Sequence, residues 1–208
     1  MQFRLVLVLS LVSATAAAGE IAVTNVKDLP TDLKARGAKV ERAVTFSDKN
    51  GTNYVAFSST DSEKPDSGMG PERKRVLFID HWAVAKGKKA RTLLPARDFV
   101  ETCPLDLVAK FVDGAFGVTD LDADGLAEVT YGYQLACRGD VSSATYKLLV
   151  VENGKKYIFR GTSRLPVDDA PPGGEFTPEP AEAKWPRAFY KHAAALWKAT
   201  ADDVEMHR

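Results

Sequence analysis

The sequence predicts a mainly β fold, an antiparallel, sandwich-like arrangement that is α+β overall and ends in one amphipathic helix. Short apolar runs separated by turn residues fill positions 39–161, and Asn-Gly pairs at Asn50-Gly51 and Asn153-Gly154 sit between such runs. A single helical stripe follows a Pro- and Gly-rich stretch at 162–184. Period-two alternation is the mark of a half-buried strand and a 3.6-residue period that of a helix.

Met1 to Arg4 give a short positive start, Leu5 to Val12 an apolar run interrupted by Ser10, and Ala16-Ala17-Ala18 the small residues that a signal peptidase accepts. The apolar run is half of the roughly twenty residues that cross a bilayer, which argues against a permanent anchor. The reading is a signal peptide over 1–18, cleaved near Ala18, and a single exported domain over 19–208, periplasmic or secreted. No later stretch is apolar enough to span a membrane in the mature chain. The 28 basic and 28 acidic side chains cancel, and loss of Arg4 leaves the mature chain one charge negative. That balance gives no electrostatic drive toward nucleic acid. The basic clusters Arg73-Lys74-Arg75 and Lys86 to Arg91 lack interleaved aromatics and read as strand ends facing solvent.

Residues 19–38 carry little periodicity and suggest a leading arm with a short helix near Asp32 to Arg36. Val40, Ala43-Val44 and Phe46 lead into Asn50-Gly51, and Tyr54 to Phe57 lead away, which predicts a hairpin whose two turn residues tolerate positive φ. Ser58 to Pro71, rich in Ser, Gly, Pro and Asp, reads as a surface loop. A strand follows over Val76 to Val84, and a second hairpin over Tyr146 to Phe159. The seven Pro and Gly residues between Pro166 and Pro180 argue against regular structure before Trp185. Trp185, Phe189, His192, Leu196 and Ala199 then recur at helical spacing, so 186–200 is a helix packed on the sheet, with Pro186 in its first turn.

Cys103 and Cys137 form an even pair in a chain directed to an oxidising compartment, which predicts a disulfide. Closing a loop of about 35 residues would lower the unfolded-state entropy by roughly 3 to 4 kcal/mol in the chain-entropy account. The bridge encircles the acidic run between the two cysteines and is expected to clamp that region.

The chemistry concentrates in that run, Asp120-Leu121-Asp122-Ala123-Asp124-Gly125-Leu126-Ala127-Glu128. At average residue usage the pattern arises by chance in about one chain of this length in three thousand. Clustered carboxylates repel one another unless a cation lies among them, and a hard divalent ion prefers oxygen donors, so Ca²⁺ is the expected occupant. Asp120, Asp122, Asp124 and Glu128 would supply side-chain oxygens and Leu126 a backbone carbonyl, with Gly125 turning the chain. Position twelve of an EF-hand loop would be Tyr131, which cannot be a bidentate acid, and the alternation of Val129, Tyr131 and Tyr133 predicts a strand after the loop. The competing reading is a solvated acidic turn.

Phe116-Gly117-Val118-Thr119, the acidic loop and Glu128-Val129 resemble the strand-opening calcium loops of FG-GAP β-propeller blades. One copy within 116–133 transfers a metal loop and not a propeller, which repeats its blade four or more times. A wider stretch is similar to small exported bacterial proteins labelled surface polysaccharide biosynthesis proteins: Asp98 to Pro104, Cys137 to Ser142 and Lys147 to Gly161. That resemblance implies a cell-envelope location and a glycan or envelope protein as partner, and it assigns no catalytic residue.

Other fragments carry less. Arg138-Gly139-Asp140 spells an adhesion tripeptide but suits a turn beside Cys137. His81 with Ser142 or Ser143 lacks a nucleophile elbow. Asp168, Asp169, Glu175 and Glu179 would serve a glycosidase only if something positioned them. The chain therefore reads as a non-catalytic binding or accessory protein with structural calcium, against the alternative of a calcium-assisted enzyme acting on cell-surface glycans.

Overall fold

The computed structural model describes residues 19–65, 68, 70–165 and 173–204, so the expected signal peptide, Asp168, Asp169 and His207 lie outside the described residues. In chain order the strands are β1 (Gly19–Glu20), β2 (Thr24–Asn25), β3 (Lys39–Asp48), β4 (Gly51–Lys64), β5 (Glu72–Val84) and β6 (Arg91–Cys103). They continue with β7 (Asp106–Asp120), β8 (Glu128–Arg138), β9 (Thr145–Glu152), β10 (Lys155–Thr162) and β11 (Phe176–Glu179), followed by helix α1 (Arg187–Thr200). They form one sheet in the order β1-β7-β8-β9-β10-β11 and another in the order β2-β3-β4-β5-β6. Pairing between named strands is antiparallel throughout. The fold is thus mainly β, with two sheets and a C-terminal helix.

The sheets pack face to face. Val44, Phe57, Leu77 and Ile79 of one meet Val129, Tyr131, Leu149 and Val151 of the other. Because strand side chains alternate, β8 sends Val129, Tyr131, Tyr133 and Leu135 into that core. Its intervening residues face α1 and the segment after it: Thr130 Oγ1 lies 3.2 Å from His192 Nε2, and Gln134 donates to the Asp202 carbonyl at 2.7 Å. A second apolar layer seats the helix, with Phe189, Ala193 and Trp197 on Tyr146, Leu148, Val150, Tyr157 and Phe159. On the outer face of the five-stranded sheet, Leu33 covers Ala56 and Trp82.

The structure corrects the sequence reading at six places. The arm around Asp32 to Arg36 is not helical. Its Arg36 backbone N–H and Nε donate to Asp80, a carboxylate only 3% exposed, at 3.1 and 2.6 Å, and this long-range anchor sets the local conformation. Ser58 to Lys64 are strand and not loop, since β4 pairs with β5 as far as Lys64↔Glu72 and sets Glu63 opposite Arg73. Opposite charges directly across a ladder stabilise it.

In the first hairpin Asp48 pairs with Gly51, so the two-residue turn is Lys49-Asn50, and only Gly51 (φ +103°) is left-handed. The primed turn belongs to the second hairpin, where Asn153 (φ +45°) and Gly154 (φ +85°) are both left-handed. The Pro- and Gly-rich stretch contains a strand: β11 pairs with β10, and Phe176 stacks on Phe159 with centroids 3.9 Å apart. The buried stripe of α1 is Phe189, Ala193 and Trp197, continued by Trp185 before it and Ala201 after it, whereas Ala199 is exposed.

Cys103 and Cys137 are bonded, with Cα atoms 5.5 Å apart. The bridge joins β6 of one sheet to β8 of the other. It lies toward the far end of β8 from the acidic loop, about 30 Å away at roughly 3.3 Å per strand residue. It clamps the two sheets together and does not clamp the loop.

Candidate metal centre

The acidic run links β7 to β8 at one end of the six-stranded sheet. Asp120 is the last residue of β7 and Glu128 the first of β8, while Asp122 and Asp124 are exposed in the loop between them. The chain doubles back through two left-handed residues, Ala123 (φ +59°) and Gly125 (φ +84°). Glycine serves the turn at Gly125, where a Cβ would otherwise meet only the movable end of the Lys49 side chain. Short polar contacts hold the loop in shape. The Gly125 N–H donates to Asp120 Oδ2 at 3.0 Å, the Asp124 N–H to Asp122 Oδ1 at 3.3 Å, and the Leu126 N–H to Asp124 Oδ1 at 2.7 Å.

The other sheet reaches the same place. The Ala127 N–H donates to Asp48 Oδ2 at 3.1 Å, and the Lys49 N–H to the Gly125 carbonyl at 2.9 Å. The loop is therefore pinned to the turn between β3 and β4.

Carboxylate oxygens of Asp120, Asp122 and Asp124 lie within 4.8 Å of one another, and so do those of Asp122, Glu128 and Glu152. Four of the expected ligands are thus close together, sharing Asp122, and Leu126 stays beside them in the loop. Glu152 is the residue that the sequence did not reveal. It ends β9 and is the cross-strand partner of Glu128, and Asp48 likewise enters only through the meeting of the two sheets. No local pattern marks either residue, because strand register put Glu152 there.

Glu128 is fully buried. Its Oε2 accepts from the Leu121 N–H at 2.7 Å and from Thr119 Oγ1 at 3.3 Å. Its Oε1 is buried without a hydrogen-bond partner, and so is Asp120 Oδ1. An unpaired buried carboxylate oxygen is costly, and a like charge directly opposite adds repulsion. Burial pushes the Glu128 carboxyl up to about 8, with Asp122 and Glu152 raising it further and the Leu121 and Thr119 hydrogen bonds opposing. Glu152 is raised as well, by burial first and then by Asp124 and Asp122. A cation reaching Glu128 Oε1 and Asp120 Oδ1 would remove both penalties, and an all-oxygen donor set of flexible geometry suits a large hard ion such as Ca²⁺.

Several of the remaining candidates have structural partners, although the Ser143 hydroxyl is buried without one. Of the glycosidase acids, Glu175 accepts from Thr162 Oγ1 at 2.9 Å and Glu179 pairs with Arg160. Arg138 of the adhesion-like tripeptide ends β8 and forks onto Asp203 at 2.7 and 2.8 Å.

His81 lies within the protein at 2% exposure, its Nε2 3.0 Å from Asn53 Oδ1. Asn53 in turn donates to Asp48 Oδ1 at 2.7 Å, so its oxygen faces the imidazole, which donates from Nε2. Burial lowers His81 to about 4, with Arg91 lowering it further and Asp48 opposing. The unfolded chain takes up this proton near pH 6.5 and the folded chain only near 4. Stability from the neutral ring is therefore full above pH 6.5 and lost as pH falls toward 4, about 3 kcal/mol in all. Urea melts of wild type and His81→Gln at pH 7 and pH 4 check this: the wild type should lose about 3 kcal/mol more than the variant. Equal losses would contradict it.

Comparison with known protein families, with curated proteins and with solved structures finds no match to this chain.

Proposed function

We propose that this chain is an exported cell-envelope protein whose 120–128 loop holds a structural calcium ion, and that it acts as a binding or accessory protein linked to surface polysaccharide. The observation that carries the calcium reading is Glu128, fully buried, with one oxygen held by Leu121 and Thr119 and the other unpartnered, on a carboxylate that clusters with Asp122 and Glu152. Asp120, Asp122, Asp124, Glu128 and the Leu126 carbonyl would hold the ion, with Glu152 beside them. Its work is mechanical. The ends of β7, β8 and β9 converge here with the β3–β4 turn, and a divalent charge would offset the repulsion that otherwise pushes them apart.

Export is supported by the N-terminal pattern and by the Cys103–Cys137 bridge, which suits an oxidising compartment. The polysaccharide link rests on the resemblance across Asp98 to Gly161. Among the described residues, no helix is long and apolar enough to cross a membrane.

The test is thermal melting of the protein with calcium and with chelator. Calcium at about a hundred times its dissociation constant should add roughly 2.7 kcal/mol. For a domain of this size that raises Tm by roughly 5 to 10 °C. Glu128→Gln should abolish most of the response. A transition that chelator leaves in place, in both wild type and variant, would sink the calcium reading.

A further inference from the structure

The acidic loop does not rest on its own sheet alone. The peptide groups on either side of Leu126 are both tied down, and two of the three ties come from the five-stranded sheet. In the peptide between Gly125 and Leu126, the carbonyl accepts from the Lys49 N–H at 2.9 Å and the N–H donates to Asp124 Oδ1 at 2.7 Å. In the peptide between Leu126 and Ala127, the N–H donates to Asp48 Oδ2 at 3.1 Å, and the Leu126 carbonyl is the other polar group of that plane. A trans peptide is planar, with its C=O and N–H pointing in opposite directions. Whatever holds the Ala127 N–H therefore fixes the direction of the Leu126 carbonyl, the backbone oxygen assigned above to the ion.

Asp48 is itself held from behind. It ends β3, and its Oδ1 accepts from the Asn50 N–H and from Asn53 Nδ2, both at 2.7 Å. Asn53 is fully buried, and its Oδ1 meets His81 Nε2 at 3.0 Å. A chain of hydrogen bonds thus runs from His81 in β5 through Asn53 and Asp48 to the Ala127 N–H of the loop. The two groups of converging carboxylates, Asp120-Asp122-Asp124 and Asp122-Glu128-Glu152, do not include Asp48. Its two oxygens face N–H donors instead and leave the ion to other residues. Groups that stand behind a metal ligand and orient it typically cost about 10- to 100-fold in metal affinity when they are removed.

We infer that Asp48 is a positioning residue for the calcium loop: it sets the plane that carries the Leu126 carbonyl and ties ion binding to the β3–β4 turn of the opposite sheet. The inference rests on the calcium reading above and adds to it a residue that is no ligand. Coupling between two sites is reciprocal, so an ion that favours the positioned loop also favours the docked turn.

Isothermal titration of calcium into the wild type and three variants tests it. Asp48→Ala should weaken calcium about tenfold or more. Asp48→Asn removes the same charge but keeps an oxygen able to accept from the Ala127 N–H, so it should weaken calcium by only about threefold. Thr45→Val deletes a hydrogen bond to the Asn53 carbonyl within the same hairpin and should leave calcium affinity at the wild-type value. In the wild type, calcium should also slow hydrogen exchange at the Lys49 amide, on a residue that is not a ligand. This readout needs no variant, so it decides the matter even where Asp48→Ala does not fold. A wild type that binds no calcium would overturn the calcium reading and this inference with it. Where the wild type binds, the inference alone is overturned if Asp48→Ala binds like wild type, or if exchange at Lys49 ignores the ion. It is overturned equally if the alanine and asparagine variants weaken calcium to the same extent, the mark of lost charge alone, or if Thr45→Val weakens it as much as Asp48→Ala.

Discussion

Phe189→Ala is expected to destabilise the protein by about 3–5 kcal/mol, the range for deleting a buried phenyl ring. Phe189 has no exposure and meets Tyr157 edge to face, with centroids 5.4 Å apart. Trp185 and Trp197 flank it in the same layer, so the walls of the resulting cavity are large rings that cannot easily close in. In a domain of this size the loss corresponds to a Tm roughly 6–20 °C lower. Ala199→Ser provides the contrast, because Ala199 faces solvent and its replacement should change stability by less than about 0.5 kcal/mol. Thermal melts of the two variants decide which face of α1 is buried. Similar losses would contradict the packing described here.

Asp203→Ala is expected to cost about 3–5 kcal/mol, the range for breaking a buried ion pair from one side. The Asp203 side chain is fully buried, accepts the Arg138 fork at 2.7 and 2.8 Å, and accepts from Ser163 Oγ at 2.7 Å. The Ser163 hydroxyl in turn accepts from the Ala144 N–H at 2.8 Å. One carboxylate therefore joins the end of β8, the segments around residues 144 and 163, and the chain after α1. Removing it strips the Arg138 guanidinium, 10% exposed, of both fork acceptors. Asp203→Asn keeps the shape and part of the bonding, and should cost less. Chemical denaturation of the two variants checks the order, and a loss below about 1 kcal/mol for the alanine would show that the network is not needed.

Legibility in the sequence followed the range of the interaction. The helix was legible because its residues repeat on a short period, yet the stripe was assigned to Ala199 where the structure uses Ala193 and Ala201. Small residues carry no hydropathy contrast, so only contact with the Tyr146 to Phe159 face distinguishes them. The segment Ser58 to Lys64 was misread because its polar composition resembles a loop; pairing with β5 overrides composition by satisfying every second backbone group. The strand β11 was hidden for the same reason, being ordered by its pairing with β10 and by the stacking of Phe176 on Phe159.

By itself the sequence determined what is decided within a few residues: strand alternation, the Asn153-Gly154 turn, the spacing of Asp120, Asp122, Asp124 and Glu128, and the even pair of cysteines. The tertiary structure alone decided what depends on register and on the approach of the two sheets. Glu152 faces Glu128 because β8 and β9 align at that residue, and Asp48 reaches the acidic loop because a turn of the other sheet meets it. The physical reason is that a local pattern is fixed by steric and hydrogen-bonding preferences acting over one or two turns of chain. A site assembled across strands is fixed instead by the burial of a shared core, to which residues remote in sequence contribute together.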